Sequence, residues 1–319
     1  MRVLRYLALL LAATFATAAA AEYPDHPIRL VVPQAAGSAT DTVARFLGAE
    51  LSREIGQQIV VDDRPGGALT IGLDLVAKSP PDGYTLGMGP IGALAITRHM
   101  VAKLPYNIER DFQPIALLTH GHLLLAVSPK APFKTVPELI AYAKANPGKL
   151  LNASSSNGSP GHVGGELFKY MTGTNIVHVP YKGGASAIQD LIAGRVQLMF
   201  ESLNSIAPLA RSGTVLGLAV SGAHRSPAFP DLPTVAEAGV PGYEAATWSG
   251  IIAPAGVPRP IVEKLNAAIN RAIKSPAFTA RFAQIGDEPG GGTPEEFAAL
   301  IKKDSAKWGE VIRRSGAKF

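Results

Sequence analysis

The 319-residue chain contains no cysteine. That excludes disulfides, a thiolate metal site and a cysteine nucleophile, so its stability in any compartment must come from the core alone. It has no run of like charge and no interleaving of basic with aromatic residues. Thirty basic against 25 acidic side chains give a formal charge of only +5, far from the clustered basic stripe of a nucleic-acid binder. The motifs G-x-S-x-G, H-E-x-x-H and G-x-x-x-x-G-K-S/T are all missing, as are internal repeats and low-complexity tracts. Past residue 21, no segment approaches the roughly 20 apolar residues that a membrane span needs.

What is present starts with a leader. Arg2 and Arg5 supply a positive end, residues 7–13 with Phe15 an apolar centre, and residues 18–21 a run of alanine for cleavage. The apolar run is too short to anchor the chain, and no lipobox cysteine follows. Residues 1–21 are therefore predicted to be a signal peptide cut near Ala21, which sends the mature chain to the periplasm. Its loss removes two arginines and no acid, leaving 298 residues at +3. That length exceeds the size at which single cores divide, so two lobes are expected.

The stretch 28–41, IRLVVPQAAGSATD, carries the most information. Ile28, Leu30, Val31 and Val32 read as a short buried strand ending at Pro33. Small residues 35–39 form a loop, and Thr40 and Asp41 open a helical pattern through Val43, Ala44, Phe46, Leu47 and Leu51. Strand, small-residue turn and helix N-terminus together aim free backbone N–H groups at whatever lies in front, a ready seat for an anion.

Strands are predicted at 58–62 and 84–88, with a helix at 71–78 between them. This alternation points to the α/β class, a parallel sheet with helices on both faces. The apolar run 114–127, broken at 119–122, leads into a second unit. Helices at 136–145, 162–171 and 185–193 alternate there with strands at 150–153, 176–179, 196–200 and 216–221. Residues 244–253 read as a return strand, followed by a helix at 259–275, a segment at 278–286, a glycine hinge at 290–292 and a helix at 294–314 that Thr293 would cap. The chain thus crosses twice, near 122 and near 248. Lobe 1 is 22–122 with 248–319 and lobe 2 is 123–247, joined by a hinge of two crossing strands with a ligand cleft between them.

Several stretches run in the order of a known family: Tyr23-Pro24 to Pro27-Ile28-Arg29-Leu30, Arg64-Pro65-Gly66, Pro81-Asp82-Gly83-Tyr84-Thr85-Leu86 and Leu104-Pro105-Tyr106. They continue with Gly165-Glu166-Leu167-Phe168, His178-Val179-Pro180-Tyr181-Lys182-Gly183, Leu232-Pro233-Thr234-Val235-Ala236-Glu237-Ala238-Gly239, Ala253-Pro254-Ala255-Gly256 and Thr293-Pro294-Glu295-Glu296-Phe297. The chain resembles the periplasmic solute-binding proteins of the tripartite tricarboxylate transporter group, the Bug family. The resemblance implies a two-lobed periplasmic binding protein (type II-like) that closes on a small carboxylate-bearing organic acid. The acid would pass to a two-subunit membrane permease, or the loaded receptor would address a sensor. It implies no cofactor, no nucleic-acid partner and a monomer.

Carried over residue by residue, the first loop nominates Ala36, Gly37, Ser38, Thr40 and Asp41. Asp41 also reads as a helix brace, because its charge would repel an anion. Ala36-Gly37-Ser38 stands where relatives commonly have Pro-Gly-Gly, which trades backbone freedom for a hydroxyl donor. In the second lobe Ser155, Asn157 and Ser159 offer donors ahead of a helix, or a plain capping loop. Gly183, Gly184 and Ala185 permit close backbone approach, beside a Lys182 that reads as solvated. Glu201 would receive a ligand ammonium or hydroxyl, or cap the next helix. Trp248 walls the cleft or fills core.

Residues 87–92 match G-x-G-x-x-G, but on a third strand, stiffened by Pro90, in an exported chain the dinucleotide reading is weak. The family has a ligand-facing loop there, which makes Gly89, Pro90 and Gly92 site candidates, with Pro90 in place of the usual hydroxyl residue. His120 and His122, two apart, would share a strand face. As metal ligands they would need His162 or His178 as well, so no metal is expected. The enzymatic alternative is a secreted serine hydrolase using Ser159 with His162 or His178, for which no oriented base is evident.

Overall fold

The computed structural model describes residues 23–316. The leader predicted over residues 1–21 lies outside them.

The predicted alternation folds into two sheets. Strands β1 (Ile28–Val32), β2 (Ile59–Asp63) and β3 (Thr85–Pro90) are parallel, with β1 in the middle pairing Leu30 to Val61 and to Leu86. Every β1 residue except Arg29 is buried, as a continuous apolar run at a sheet centre requires. The loop after β1 feeds helix α1 (Ala39–Ile55), and α2 (Thr70–Ala77) follows β2. After β3 and the short helix α3 (Ile108–Asp111), β4 (Phe112–Gly121) leaves the first sheet and β5 (Leu123–Val127) enters the second, with His122 between them.

Helix α4 (Val136–Ala145) leads on to β6 (Leu151–Ser154), α5 (Pro160–Thr172), β7 (Val177–Pro180), α6 (Gly184–Ala193), β8 (Leu198–Ser202), α7 (Leu203–Arg211) and β9 (Leu216–Val220). Strand β10 (Thr247–Pro254) then returns to the first sheet. Helices α8 (Arg259–Ala272) and α9 (Pro276–Ile285), strand β11 (Asp287–Pro289) and helix α10 (Pro294–Ser315) complete the described chain. None of the described helices is long and apolar enough to cross a membrane.

The first sheet runs β11-β4-β10-β3-β1-β2 and the second β7-β6-β8-β5-β9. The sheets are mixed rather than parallel throughout. β10 is antiparallel to β3 and β4, and β5 is antiparallel to β8 and β9. The cause is the double crossing: each sheet receives one strand that arrives from the other lobe and enters against the grain.

Two further expectations are corrected. The glycines at 290–292 do not form a hinge, because Gly290 and Gly291 donate backbone hydrogen bonds of 2.7 and 2.9 Å to the carbonyls of Leu118 and Leu117. They continue the short strand β11, which pairs with β4 and carries too few apolar residues to announce itself. His120 and His122 do not share a strand face either. β4 stops at Gly121, leaving His120 exposed and His122 buried.

One apolar cluster runs from lobe to lobe, through Leu117, Leu123, Leu125, Phe168, Phe200, Tyr243, Trp248, Phe297 and Trp308. Helix α10, closed at its start by a capping box between Thr293 and Glu296, packs on both β4 and α5. Its far end reaches the second lobe again, where Arg314 lies over the Tyr170 ring.

Helix α5 meets the second sheet without clearance. A Cβ on Gly161 would stand 2.1 Å from the Phe200 carbonyl oxygen, backbone against backbone. Gly161→Ala is expected to push the α5 N-terminus off β8 and cost about 3 kcal/mol, at the upper end of overpacking penalties. Urea unfolding should show the midpoint fall; an unchanged midpoint would mean that the contact relaxes freely.

Candidate ligand-binding cleft

The two sheets point the C-terminal ends of their strands at a common cleft of about 840 Å³, within the range of small-molecule sites. Its walls are the loops that join strand ends to helix starts, so it is ringed by helix N-termini. Ser38 caps α1, accepting from the Asp41 N–H at 3.2 Å. Gly37 lies at φ +79°, where a side chain would be strained, and its N–H donates to Asp41 at 2.7 Å. From the second lobe, Ser159 caps α5 and Gly183 stands at the N-cap of α6. Ser202 stands at that of α7, with Asn204 and Ser205 also on the wall.

Of the predicted residues, Gly37, Ser38, Thr40, Pro90, Gly92, Ser155, Asn157, Ser159, Gly183, Gly184, Ala185, Glu201 and Trp248 all line this space. Three do not. Ala36 is exposed on the outer side of its loop. Asp41 is buried, held by Gly37 and by Arg45 at 2.7 Å, so its carboxylate serves the loop and not the cleft. Gly89 is buried inside β3, where a Cβ would stand 2.5 Å from Leu94. The glycines at 87 and 89 thus belong to a strand, and no phosphate-cradling turn forms. Trp248 does both things proposed for it. It borders the cleft, yet it is 3% exposed, stacks edge-on with Phe297 and donates its indole N–H to Asp304 at 2.6 Å.

Among the described residues, no lysine, arginine or histidine lines the cleft. The two ionisable groups found there are both acids, one from each lobe. Glu201 is nearly enclosed, with Oε1 accepting from the Ser202 N–H at 3.1 Å and Oε2 buried without a partner. Burial pushes its carboxyl up to about 7. Asp287 is likewise pushed up to about 7 by burial, although the Asn204 side chain from the other lobe hydrogen-bonds it. Burial thus keeps a larger share of both acids protonated than free carboxyls would keep at the same pH, which weakens the repulsion an anionic ligand would otherwise meet.

The hydrolase residues are otherwise engaged. Ser159 Oγ accepts from the His162 N–H at 3.2 Å, and His162 Nδ1 accepts from the Gly158 N–H at 3.0 Å. The His162 and His178 rings stack at 3.8 Å, and His178 Nε2 lies 2.7 Å from Ser154 Oγ. Burial lowers these imidazoles to about 4 and about 3.

Residues 43–317 match the model of the tripartite tricarboxylate transporter family receptor. The chain belongs to that family. Among its relatives is a UPF0065 protein in the tcbD-tcbE intergenic region of Pseudomonas sp., 40% identical over 291 residues, which are 91% of this chain and 86% of that one. Protein BugT of Bordetella pertussis is 37% identical, over 93% of this chain and 91% of its own. Rpa4515 of R. palustris, solved with adipate, superposes with a TM-score of 0.86 at 40% identity, over 93% of this chain and all of the other. MatC of Rhodopseudomonas palustris, solved with malate, gives 0.81 at 33%, over 91% of this chain and all of the other. The fold is that of the two-lobed receptors of this family.

Several wall residues of this family member escaped the sequence reading. Ser202, Asn204 and Ser205 repeat the strand-to-helix logic of the other loops, so the same signal could have found them. Thr119, Thr247, Ser249 and Asp287 lie on or beside the crossing strands and face the cleft only because those strands pass beneath it. Ala68 and Leu69, also on the wall, hold left-handed backbone at φ +53° and +75°. Nothing in their side chains announces that conformation.

Glu201 gives a stability test in the absence of solute. An acid with a raised folded value holds its proton more tightly in the native state. Its contribution is full below the ordinary carboxyl value and is lost as pH rises toward about 7. Glu201→Gln is expected to match the parent near pH 4.5 and to exceed it at pH 8 by on the order of 2–3 kcal/mol. Urea denaturation at the two pH values checks this, and equal stabilities at pH 8 would show that the buried carboxylate carries no cost.

Proposed function

We propose that the chain is an exported receptor that captures a small carboxylate-bearing organic acid between its lobes and delivers it, chemically unchanged, to a two-subunit permease of the tripartite tricarboxylate type. The observation that carries this reading is the cleft itself: helix N-termini from both lobes, neutral hydroxyl and amide donors, and, among the described residues, no fixed cation. A helix N-terminus carries about half a positive charge and free N–H groups, and several converging from two lobes stabilise an anion only when the lobes are close. Solute therefore favours the closed arrangement over the open one.

The R. palustris proteins solved with adipate and with malate bind dicarboxylates, and their likeness to this chain supports the same ligand class here. A cleft of about 840 Å³ also leaves room beside such an acid for bridging water. Delivery without reaction is supported by Ser159, whose hydroxyl is spent on a helix cap, and by two buried imidazoles that are held neutral. Removal of residues 1–21 on export to the periplasm is part of the proposal.

Thermal-shift screening of a panel including adipate, malate and citrate is expected to find a stabilising acid. Scattering with that acid should show compaction; no stabilisation and no compaction across the panel would overturn the proposal. Affinity should also weaken as pH rises from 6 to 8. Two like unit charges about 8 Å apart repel by roughly 2 kcal/mol at an effective dielectric of about 20, so ionising a wall carboxyl should raise Kd by some tenfold or more. Calorimetry should show this slope flattened in Glu201→Gln.

A further inference from the structure

Where the chain first crosses between lobes, three potential ligand atoms converge on the side of β11 next to the cleft residue Asp287. His122 Nε2 lies 3.3 Å from Glu288 Oε1, and His224 Nε2 lies 3.2 Å from the same oxygen. The three donor atoms lie within 4.8 Å of one another, and the two rings stand edge to face with centroids 5.3 Å apart. We propose that His122, His224 and Glu288 form a divalent transition-metal site, of the zinc or nickel class, that pins the two lobes together at the hinge.

Three features argue for it. First, the spacing is already that of a coordination sphere. In a tetrahedron with bonds of about 2.0–2.1 Å the ligand atoms stand roughly 3.3 Å apart, which both N···O separations match. Only the His–His edge has to shorten, and the His224 side chain is largely exposed and can swing. Second, the donor set of two imidazoles and one carboxylate is one that zinc accepts with a fourth position left to water. Third, one ligand is held in place before any cation arrives, because the His122 ring is buried and packs edge to face against His224.

The site would tie the lobes because its ligands come from both. Glu288 sits on β11 in the first sheet, His224 follows β9 of the second, and His122 is the crossing residue. The affinity should be moderate, since the buried Nδ1 of His122 has no acceptor to orient the ring when Nε2 binds metal.

The test uses the full mature chain, free of any tag and treated with chelator, with no organic acid added, so it is independent of the solute reading. Calorimetry with Zn²⁺ should show one site of micromolar Kd, and Co²⁺ should give the strong visible bands of a four-coordinate complex. His224→Ala, an exposed position, and Glu288→Gln should each weaken Zn²⁺ at least tenfold, whereas His26→Ala, on a distant surface pair with Asp25, should not. Absence of binding at 100 µM Zn²⁺, or affinity retained in His224→Ala, would overturn the proposal. If Glu288→Gln alone fails to fold, the His224→Ala comparison and the Co²⁺ spectrum still decide.

Discussion

The cleft is ringed by the positive ends of helices and, among the described residues, contains no formally positive side chain. Much of the surrounding structure follows from that constraint. An anion held by neutral donors gains from each only a charge-assisted hydrogen bond, so many donors must be fixed in place before it arrives. The hydroxyls of Ser38 and Ser159 cap their own helices and hold the two loops from opposite lobes in register with the space between. Asp41, in the first turn of α1, is drawn to Gly37 and Arg45. The two acids that do reach the wall have their carboxyls pushed up by burial, which lowers the negative charge the cleft carries below about pH 7.

Holding such donors rigid while allowing the lobes to close places a second demand on the hinge. The crossing strands are lined by a single apolar cluster that both lobes share, and α10 rests on both. Opening the cleft widely would expose part of this core, at about 25 cal/mol for each Å² of apolar surface. Any opening must work against this shared core where the chain crosses, about residues 121–123 and the entry to β10. Hydrogen bonds from Gly290 and Gly291 tie the end of β11 to β4 in the same region.

Much of this was legible in the sequence because the governing signals are local. The buried run of β1, the small residues after it and the cap at Ser38 stand within a dozen positions, and the loops before α5 and α6 repeat the pattern. The double crossing could be read from the broken apolar run ahead of β5 and from the late return strand. What escaped depends on contacts far apart in the chain. Asp287 reaches the cleft only because β11 pairs with β4 more than 160 residues earlier. The meeting of His122 with His224 and Glu288 needs both lobes folded. Sequence spacing had instead coupled His122 to His120, a pairing that fails because β4 ends at the residue between them. Gly89 was misplaced for a related reason: the strand expected to end at Met88 runs on to Pro90, where Gly89 pairs with Gly250 of the distant β10.

One part of the cleft wall has a different character. Ala68 and Leu69 hold left-handed backbone after Gly66 and Gly67, a conformation that costs about 1–3 kcal/mol per residue outside glycine. Thr70 and Thr97 pin the strained carbonyls of Gly67 and Ala68. The conformation sets Leu69 beside Gly92, where a Cβ would stand 3.3 Å from its side chain. Leu69 joins Val43, Ile91 and Ile188 on the cleft surface. Apolar surface between clusters of N–H and hydroxyl donors favours a solute whose charged group is joined to a hydrocarbon stretch, and disfavours one that is polar throughout, whose inner hydroxyls would be left unpaired. Pro90 borders the same space and adds no hydroxyl to it. Any carboxylate can use the anion seat, so it is against this strained apolar wall that the remainder of different solutes would meet different surroundings.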